Sequence, residues 1–209
     1  MDLQDLKVSG YNHEDGFEGD LNVQFLGPTG KTTAQYFWLD IPEDPDDPDS
    51  VAFYGWYDGS DERAEGVTIA PGTGLWTFSD SSTYGLQSAG QVITTDTANT
   101  LRNNGCILVA NPTPVAVDLQ DVYVGGYDHA DGFEGDINVQ FLGPTGKTTA
   151  QYFWLDIPED PDDPDSVAFY GWYDGSDELA VGVTVPSGSA LWTFSDASTY
   201  SLVFPGVTL

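Results

Sequence analysis

Alternation of apolar and polar positions with a period of two runs through the chain. Leu21, Val23 and Phe25 alternate with Asn22 and Gln24, and Ala34, Tyr36 and Trp38 alternate with Gln35 and Phe37. Successive side chains of a strand point to opposite faces, so each run predicts a strand with one inward face. Gly27-Pro-Thr-Gly30 lies between them as a turn signal, and together they predict a hairpin. Val51 to Tyr57 predicts a further strand closed by the Asp58-Gly59 turn pair. Val67 to Ile69, Leu75 to Phe78 and Leu86 to Val92 complete about seven short strands. Turn signals spaced by roughly 8–12 residues are the pattern of a sandwich or small barrel. No run predicts a helix.

The pattern occurs twice. When Asp15 is laid on Asp131, the chain matches itself through Glu62 and Glu178 at every position but one, where Leu21 becomes Ile137. Looser similarity follows: Leu75-Trp-Thr-Phe-Ser-Asp80 returns as Leu191-Trp-Thr-Phe-Ser-Asp196. Each copy is therefore one folding unit, and the two share a backbone. The fold class expected is all-β, two tandem sandwich-like or small-barrel units of about seven short strands each. The divisions expected are 1–94 for the first unit, 95–104 for a linker or hairpin arm, and 105–209 for the second unit.

The join between the copies is unequal. Met1 is followed by Asp2-Leu-Gln-Asp5, the counterpart of Asp118-Leu-Gln-Asp121, so copy one has no counterpart of Leu101–Val117 within this sequence. That stretch carries the apolar run Cys106-Ile-Leu-Val-Ala110. Ile107, Leu108 and Val109 are thus the candidate assembly strand, and copy one is expected to keep an open edge or apolar groove. An unpaired edge is a template for strand addition. Asn104-Gly105 is a type I′ turn signal, expected to fold Thr95–Leu101 back against Cys106–Ala110.

Composition fits a packed protein: 40% of residues are hydrophobic and 13% aromatic, more than disorder allows. The formal charge is −29, with Lys7, Lys31, Arg63, Arg102 and Lys147 the only lysines and arginines. Such a surface repels nucleic acid and anionic lipid, which excludes both as partners. It attracts divalent cations and basic partners, or serves solvation alone. Cys106 is the sole cysteine, so no intramolecular disulfide forms. No stretch has the length of a transmembrane helix, so membrane insertion is not expected, and Met1-Asp-Leu-Gln-Asp5 has no signal-peptide character.

Four motifs invite chemistry. Gly27-Pro-Thr-Gly-Lys-Thr32, repeated from Gly143, resembles a phosphate loop, but Phe25 stands where its first glycine belongs and Thr32 opens a strand rather than a helix. It is expected to be a hairpin turn. Asp40 to Asp49 holds six carboxylates in ten residues, repeated from Asp156. Calcium takes six to eight hard oxygens. The candidate ligands are Asp44, Asp46, Asp47 and Asp49, with Asp160, Asp162, Asp163 and Asp165 in the repeat. The spacing is not that of an EF-hand, three prolines extend the run, and a solvated acidic loop is the alternative. No cofactor is required, with calcium the one candidate. His13 and His129 are equivalent, and neither has a nucleophile beside it in sequence, so both are expected to be turn residues and no catalytic residue is assigned. Adjacent aromatics such as Trp56-Tyr57 point to opposite faces, so Trp56, Tyr57, Trp172 and Tyr173 are candidates for an exposed aromatic surface.

Asn111-Pro-Thr-Pro, Gly171-Trp-Tyr-Asp-Gly175, Leu191-Trp and Phe204-Pro-Gly-Val207 give a resemblance. In their order they resemble an uncharacterised tandem β-repeat of large, surface-associated bacterial proteins. The chain departs from that pattern at Pro186-Ser-Gly-Ser-Ala190, where copy one has Pro71-Gly-Thr-Gly74. The resemblance implies an adhesive or structural role, extracellular or at the cell envelope, and supplies no catalytic residues. The expected function is therefore non-enzymatic self-association into an assembly such as a filament, with the chain as its own partner. The alternative is a carbohydrate-binding module that holds glycans on surface aromatics, assisted by calcium.

Overall fold

The computed structural model describes all residues except 18, 28–30, 44–45, 47–51, 82, 89–91, 144, 160–167 and 208–209. Among the described residues it is all-β, with antiparallel sheets and two single 3-10 turns at Leu3–Asp5 and Leu119–Asp121. In chain order the strands are β1 (Lys7–Ser9), β2 (Leu21–Leu26), β3 (Thr32–Ile41), β4 (Phe53–Tyr57), β5 (Trp76–Ser79) and β6 (Gly85–Gln87). Then come β7 (Thr97–Thr100), β8 (Gly105–Ala110), β9 (Val117–Asp118), β10 (Tyr123–Gly125) and β11 (Ile137–Leu142). The last five are β12 (Thr148–Ile157), β13 (Phe169–Tyr173), β14 (Thr184–Val185), β15 (Ala190–Ser195) and β16 (Ser201–Phe204).

Two compact units result. The first holds Met1–Leu26, Thr32–Ala70 and Leu75–Gln91, and the second holds Gly27–Lys31, Pro71–Gly74 and Val92–Leu209. In the first, one sheet runs β4-β3-β2-β5 and a second pairs β1 with β6. In the second, the corresponding sheets run β13-β12-β11-β15-β8 and β10-β16-β7, and β14 pairs with β9.

The copies share their registers. Asn22 pairs with Phe37 as Asn138 pairs with Phe153, and a register shift falls at Phe25/Leu26 and again at Phe141/Leu142. Phe37 opposes Tyr57 as Phe153 opposes Tyr173. Inward faces set these registers, because a slip by one residue would carry every apolar side chain to solvent. In each unit one apolar cluster gathers side chains from both sheets. In the second unit Val109, Val139, Trp154, Trp172 and Leu191 meet Val124, Leu202 and Phe204. Both sheets thus give up their apolar faces to one shared core.

Residues 95–104 are not a linker or a hairpin arm. They carry β7, which pairs with β16, whereas β8 pairs with β15 in the other sheet. The Asn104-Gly105 hairpin does not form. A type I′ turn needs positive φ at two successive residues; Asn104 has φ 48°, but Gly105 is already the first residue of β8. Leu101 explains the outcome: it is 2% exposed, it joins the second core, and its amide donates to the Tyr200 carbonyl at 2.9 Å. Burying that leucine at the corner sends the chain from one sheet to the other instead of back on itself.

Candidate functional site

The pentapeptide Leu-Trp-Thr-Phe-Ser occurs in both units with different surroundings. In the second unit β15 lies between β11 and β8, and Leu191, Thr193 and Ser195 are each 0% exposed. In the first, β5 has β2 on one side and, among the described residues, no strand on the other; Thr77 and Ser79 are exposed and Phe78 is 47% exposed. The second sheet repeats the difference, since β16 lies between β10 and β7 whereas β6 pairs only with β1. Among the described residues the first unit therefore has no counterpart of β7 or β8, and β5 and β6 are each paired on one side.

Ile107, Leu108 and Val109, the candidate assembly strand, are not free. They form the middle of β8 and oppose Thr193, Trp192 and Leu191. Val109 is wholly buried, and the Leu191 edge beside it explains why: pairing there removes both strands' apolar side chains from water. The other side of β8 is also engaged. The Ala110 amide donates to the Gly72 carbonyl at 2.7 Å and the Gly74 amide to the Leu108 carbonyl at 3.2 Å. A Cβ on Gly74 would come within 2.6 Å of the Leu108 Cβ, which is why a glycine stands there. After β8, buried Asn111 organises the bend. Its Nδ2 donates to the Val115 and Val185 carbonyls, both at 2.9 Å, while its Oδ1 accepts from the Thr113 amide and hydroxyl.

The candidate aromatic surface is also overturned. Trp56 and Trp172 are 0% exposed, with indole N–H groups donating to the Leu6 and Val122 carbonyls. A buried indole keeps its N–H only with such a partner. Tyr57 is buried against Phe53 at a ring distance of 5.4 Å, and Tyr173 is half-buried against Phe169. Along the edge the chain folds back and pairs with the strand, Tyr57 bridging to Arg63 and Tyr173 to Leu179. On β4 and β13 the exposed aromatics are Tyr54 at 43% and Tyr170 at 56%.

Those tyrosines border a cluster that both units repeat. The Asp40 Oδ2 accepts from the Tyr11 hydroxyl at 2.7 Å and lies 2.8 Å from the His13 Nδ1. The Trp38 indole N–H donates to the Tyr11 oxygen at 3.0 Å. Tyr127, His129, Asp156 and Trp154 reproduce every contact. A carboxylate only accepts, so the imidazole donates to it from Nδ1. The Tyr54 ring lies 6.1 Å from the His13 ring and 5.3 Å from the Trp38 ring. Burial first, and then the hydrogen bond to Asp40 or Asp156, pushes the Tyr11 and Tyr127 phenols well above the usual tyrosine range. The two histidines stand in turns, half-exposed, and additionally hold a nearly buried carboxylate. Among the described residues, no hydroxyl or thiol is hydrogen-bonded to either Nε2.

The remaining motifs are placed as follows. The Gly27 amide donates to the Lys31 carbonyl and the Gly143 amide to the Lys147 carbonyl, closing the β2–β3 and β11–β12 hairpins, and Thr32 opens strand β3. Of the eight candidate calcium ligands only Asp46 lies within the described residues; Asp44, Asp47, Asp49, Asp160, Asp162, Asp163 and Asp165 lie outside them. Among the described residues, no three His, Cys, Asp or Glu side chains are grouped to hold a metal ion. Burial raises the pKa of the Cys106 thiol, which suits a packing role more than a reactive one. No helix among the described residues is long and apolar enough to cross a membrane. No protein-family model, curated protein or solved structure matches the chain.

Proposed function

We propose that the chain is a non-enzymatic structural or adhesive protein that associates with itself by strand addition, within an extracellular or envelope assembly such as a filament. One observation carries this reading: the same pentapeptide is a central strand in the second unit and an open edge in the first. Natural sheets blunt their edges with charge, proline or a covering loop. The β5 edge presents Trp76, Thr77, Phe78 and Ser79, none of which is a charged or proline residue. The negative charge opposes lateral clumping, and pairing of backbone groups is left as the attraction between molecules. The resemblance to surface-associated tandem repeats supports the location. Sedimentation velocity across a concentration series, with negative-stain imaging, tests the reading. Growth of oligomers without added ligand is the expected result, and a monomer at high concentration and high salt would refute it.

A second reading has its own observation. Tyr170 is 56% exposed, with its ring 5.8 Å from that of His129, and Tyr54 and His13 repeat the pair. An exposed ring beside an imidazole and a carboxylate suits stacking and hydrogen bonding to a sugar, so glycan binding would use Tyr54 and Tyr170. Loss of glycan-array binding in the Tyr54→Ala/Tyr170→Ala variant would favour it over assembly.

A further inference from the structure

Resting on the strand-addition reading, we propose that the β5 edge accepts one kind of partner: an apolar strand of the chemistry of Gly105–Ala110. The second unit shows what an occupied edge looks like. Its β15 takes β8 in antiparallel register, with Ser195 opposite Gly105, Phe194 opposite Cys106, Thr193 opposite Ile107, Trp192 opposite Leu108 and Leu191 opposite Val109. Identical residues stand along the open edge, so the incoming strand sets its Gly105, Cys106, Ile107 and Leu108 equivalents against Ser79, Phe78, Thr77 and Trp76. Its Val109 equivalent then meets Leu75, which is half-buried where Leu191 is fully buried.

The donor is not the chain's own β8. These 209 residues hold one Gly105–Ala110 strand and two copies of Leu-Trp-Thr-Phe-Ser, and the second unit already uses that strand. Moving β8 to a neighbour's first unit would expose an identical edge in the molecule it left, with no net gain in paired strands. A further strand is therefore needed. Pairing of two β5 edges is the competing arrangement, but it supplies no Val109 to complete the core, which in the second unit packs with Leu101 and Leu191. The second sheet contributes less: Gln87 and Ser88 stand where Val203 and Phe204 oppose β7, so its edge has lost the apolar residues that hold β7. The acceptor is the β5 edge alone.

The probe is a synthetic peptide of residues Leu101–Val117 added to the full chain, read by amide hydrogen exchange. The expected result is new protection confined to Trp76–Ser79, and none from a peptide carrying Ile107→Asp and Val109→Asp. The chain variant Thr77→Lys places a charge at an exposed edge position, where the free unit tolerates it, and is expected to stay folded and lose the peptide. Protection elsewhere, or equal binding of both peptides, overturns the proposal. If the chain oligomerises while the peptide neither protects β5 nor competes, this proposal fails and self-association stands. If the peptide docks in this register while the chain alone remains monomeric, the acceptor stands and self-association fails.

Discussion

Gln120 brackets the backbone of Trp172. Its Oε1 accepts from the Trp172 amide at 3.2 Å, and its Nε2 donates to the Trp172 carbonyl at 2.8 Å. Gln4 and Trp56 repeat the arrangement at 3.2 and 2.8 Å. The amide side chain thus extends the pairing of an edge on which the Trp172 carbonyl also accepts from the Ala180 amide at 2.9 Å. It fits because Gly171 adopts φ 119° and carries no Cβ, which would come within 2.3 Å of the Gln120 Oε1.

That contact gives a double-mutant prediction. Gln120→Ala leaves the Trp172 amide without this partner, at about 1–3 kcal/mol for a group left unsatisfied, while the Trp172 carbonyl keeps the Ala180 amide. Gly171→Ala adds a strained φ, a cost of order 1–3 kcal/mol, together with the clash. Without Gln120 the clash disappears, so the double variant is expected to be less destabilised than the sum of the singles. Urea unfolding followed by tryptophan fluorescence measures all three, and strict additivity would show that the bracket is not what forbids a side chain at position 171.

The repeat, the hairpins and the inward faces were legible because they are local: alternation with a period of two, and turn residues at its ends. Choice of sheet was not. Nothing near Asn104 in sequence says that Thr97–Thr100 pairs with Ser201–Phe204, a contact a hundred residues away, so a local turn signal was outvoted by the burial of Leu101. Adjacent Trp56 and Tyr57 do point to opposite faces, as alternation requires, but both faces are covered. The Asp40 cluster left a sign that could have been read. Asp40 follows Trp38 by two residues on the inward side of β3, and a carboxylate placed there needs donors such as Tyr11 and His13.

Alkaline pH is expected to destabilise the protein through those phenols. Tyr11 and Tyr127 titrate higher in the folded state than the ordinary value of 10.0, because burial and the Asp40 or Asp156 hydrogen bond favour the neutral form. Tyr123 moves in the same direction through burial and Asp96. A folded pKa above the unfolded one gives stability that is complete below about pH 10 and is lost as the pH rises further. The Tyr11→Phe/Tyr127→Phe variant is expected to start less stable at pH 7, having lost the hydrogen bonds to both carboxylates, and to fall less steeply above pH 10. Parallel slopes for the two proteins in urea midpoint against pH would contradict this assignment.

Salt is expected to stabilise both units. At a net charge of −29, with Arg63 and Glu65 paired only at 3.9 Å across exposed side chains, repulsion among carboxylates outweighs surface attraction. The screening length shrinks from about 10 Å at 0.1 M salt to about 3 Å at 1 M. Calorimetry in sodium chloride is expected to show a melting temperature rising through that range. A flat or falling curve would mean that the acidic residues are neutralised by something other than mobile ions.

Hydrogen exchange on the unmodified chain, with nothing added, tests the open edge itself. Leu75-Trp-Thr-Phe-Ser-Asp80 and Leu191-Trp-Thr-Phe-Ser-Asp196 are the same hexapeptide, so the intrinsic rates at Trp, Thr, Phe and Ser are equal and any difference reports structure. A strand flanked on both sides, as β15 is by β11 and β8, hydrogen-bonds its amides in both directions. One flanked only by β2, as β5 is, leaves every second amide facing water. Slow exchange is therefore expected throughout Trp192–Ser195, and alternating slow and fast exchange along Trp76–Ser79 in dilute solution. At concentrations where the chain associates, the fast amides of β5 are expected to slow while β15 stays unchanged, since β15 already has a strand on each side. Equal protection of the two segments in a dilute monomer would mean that the β5 edge is already covered, and strand addition would lose its acceptor.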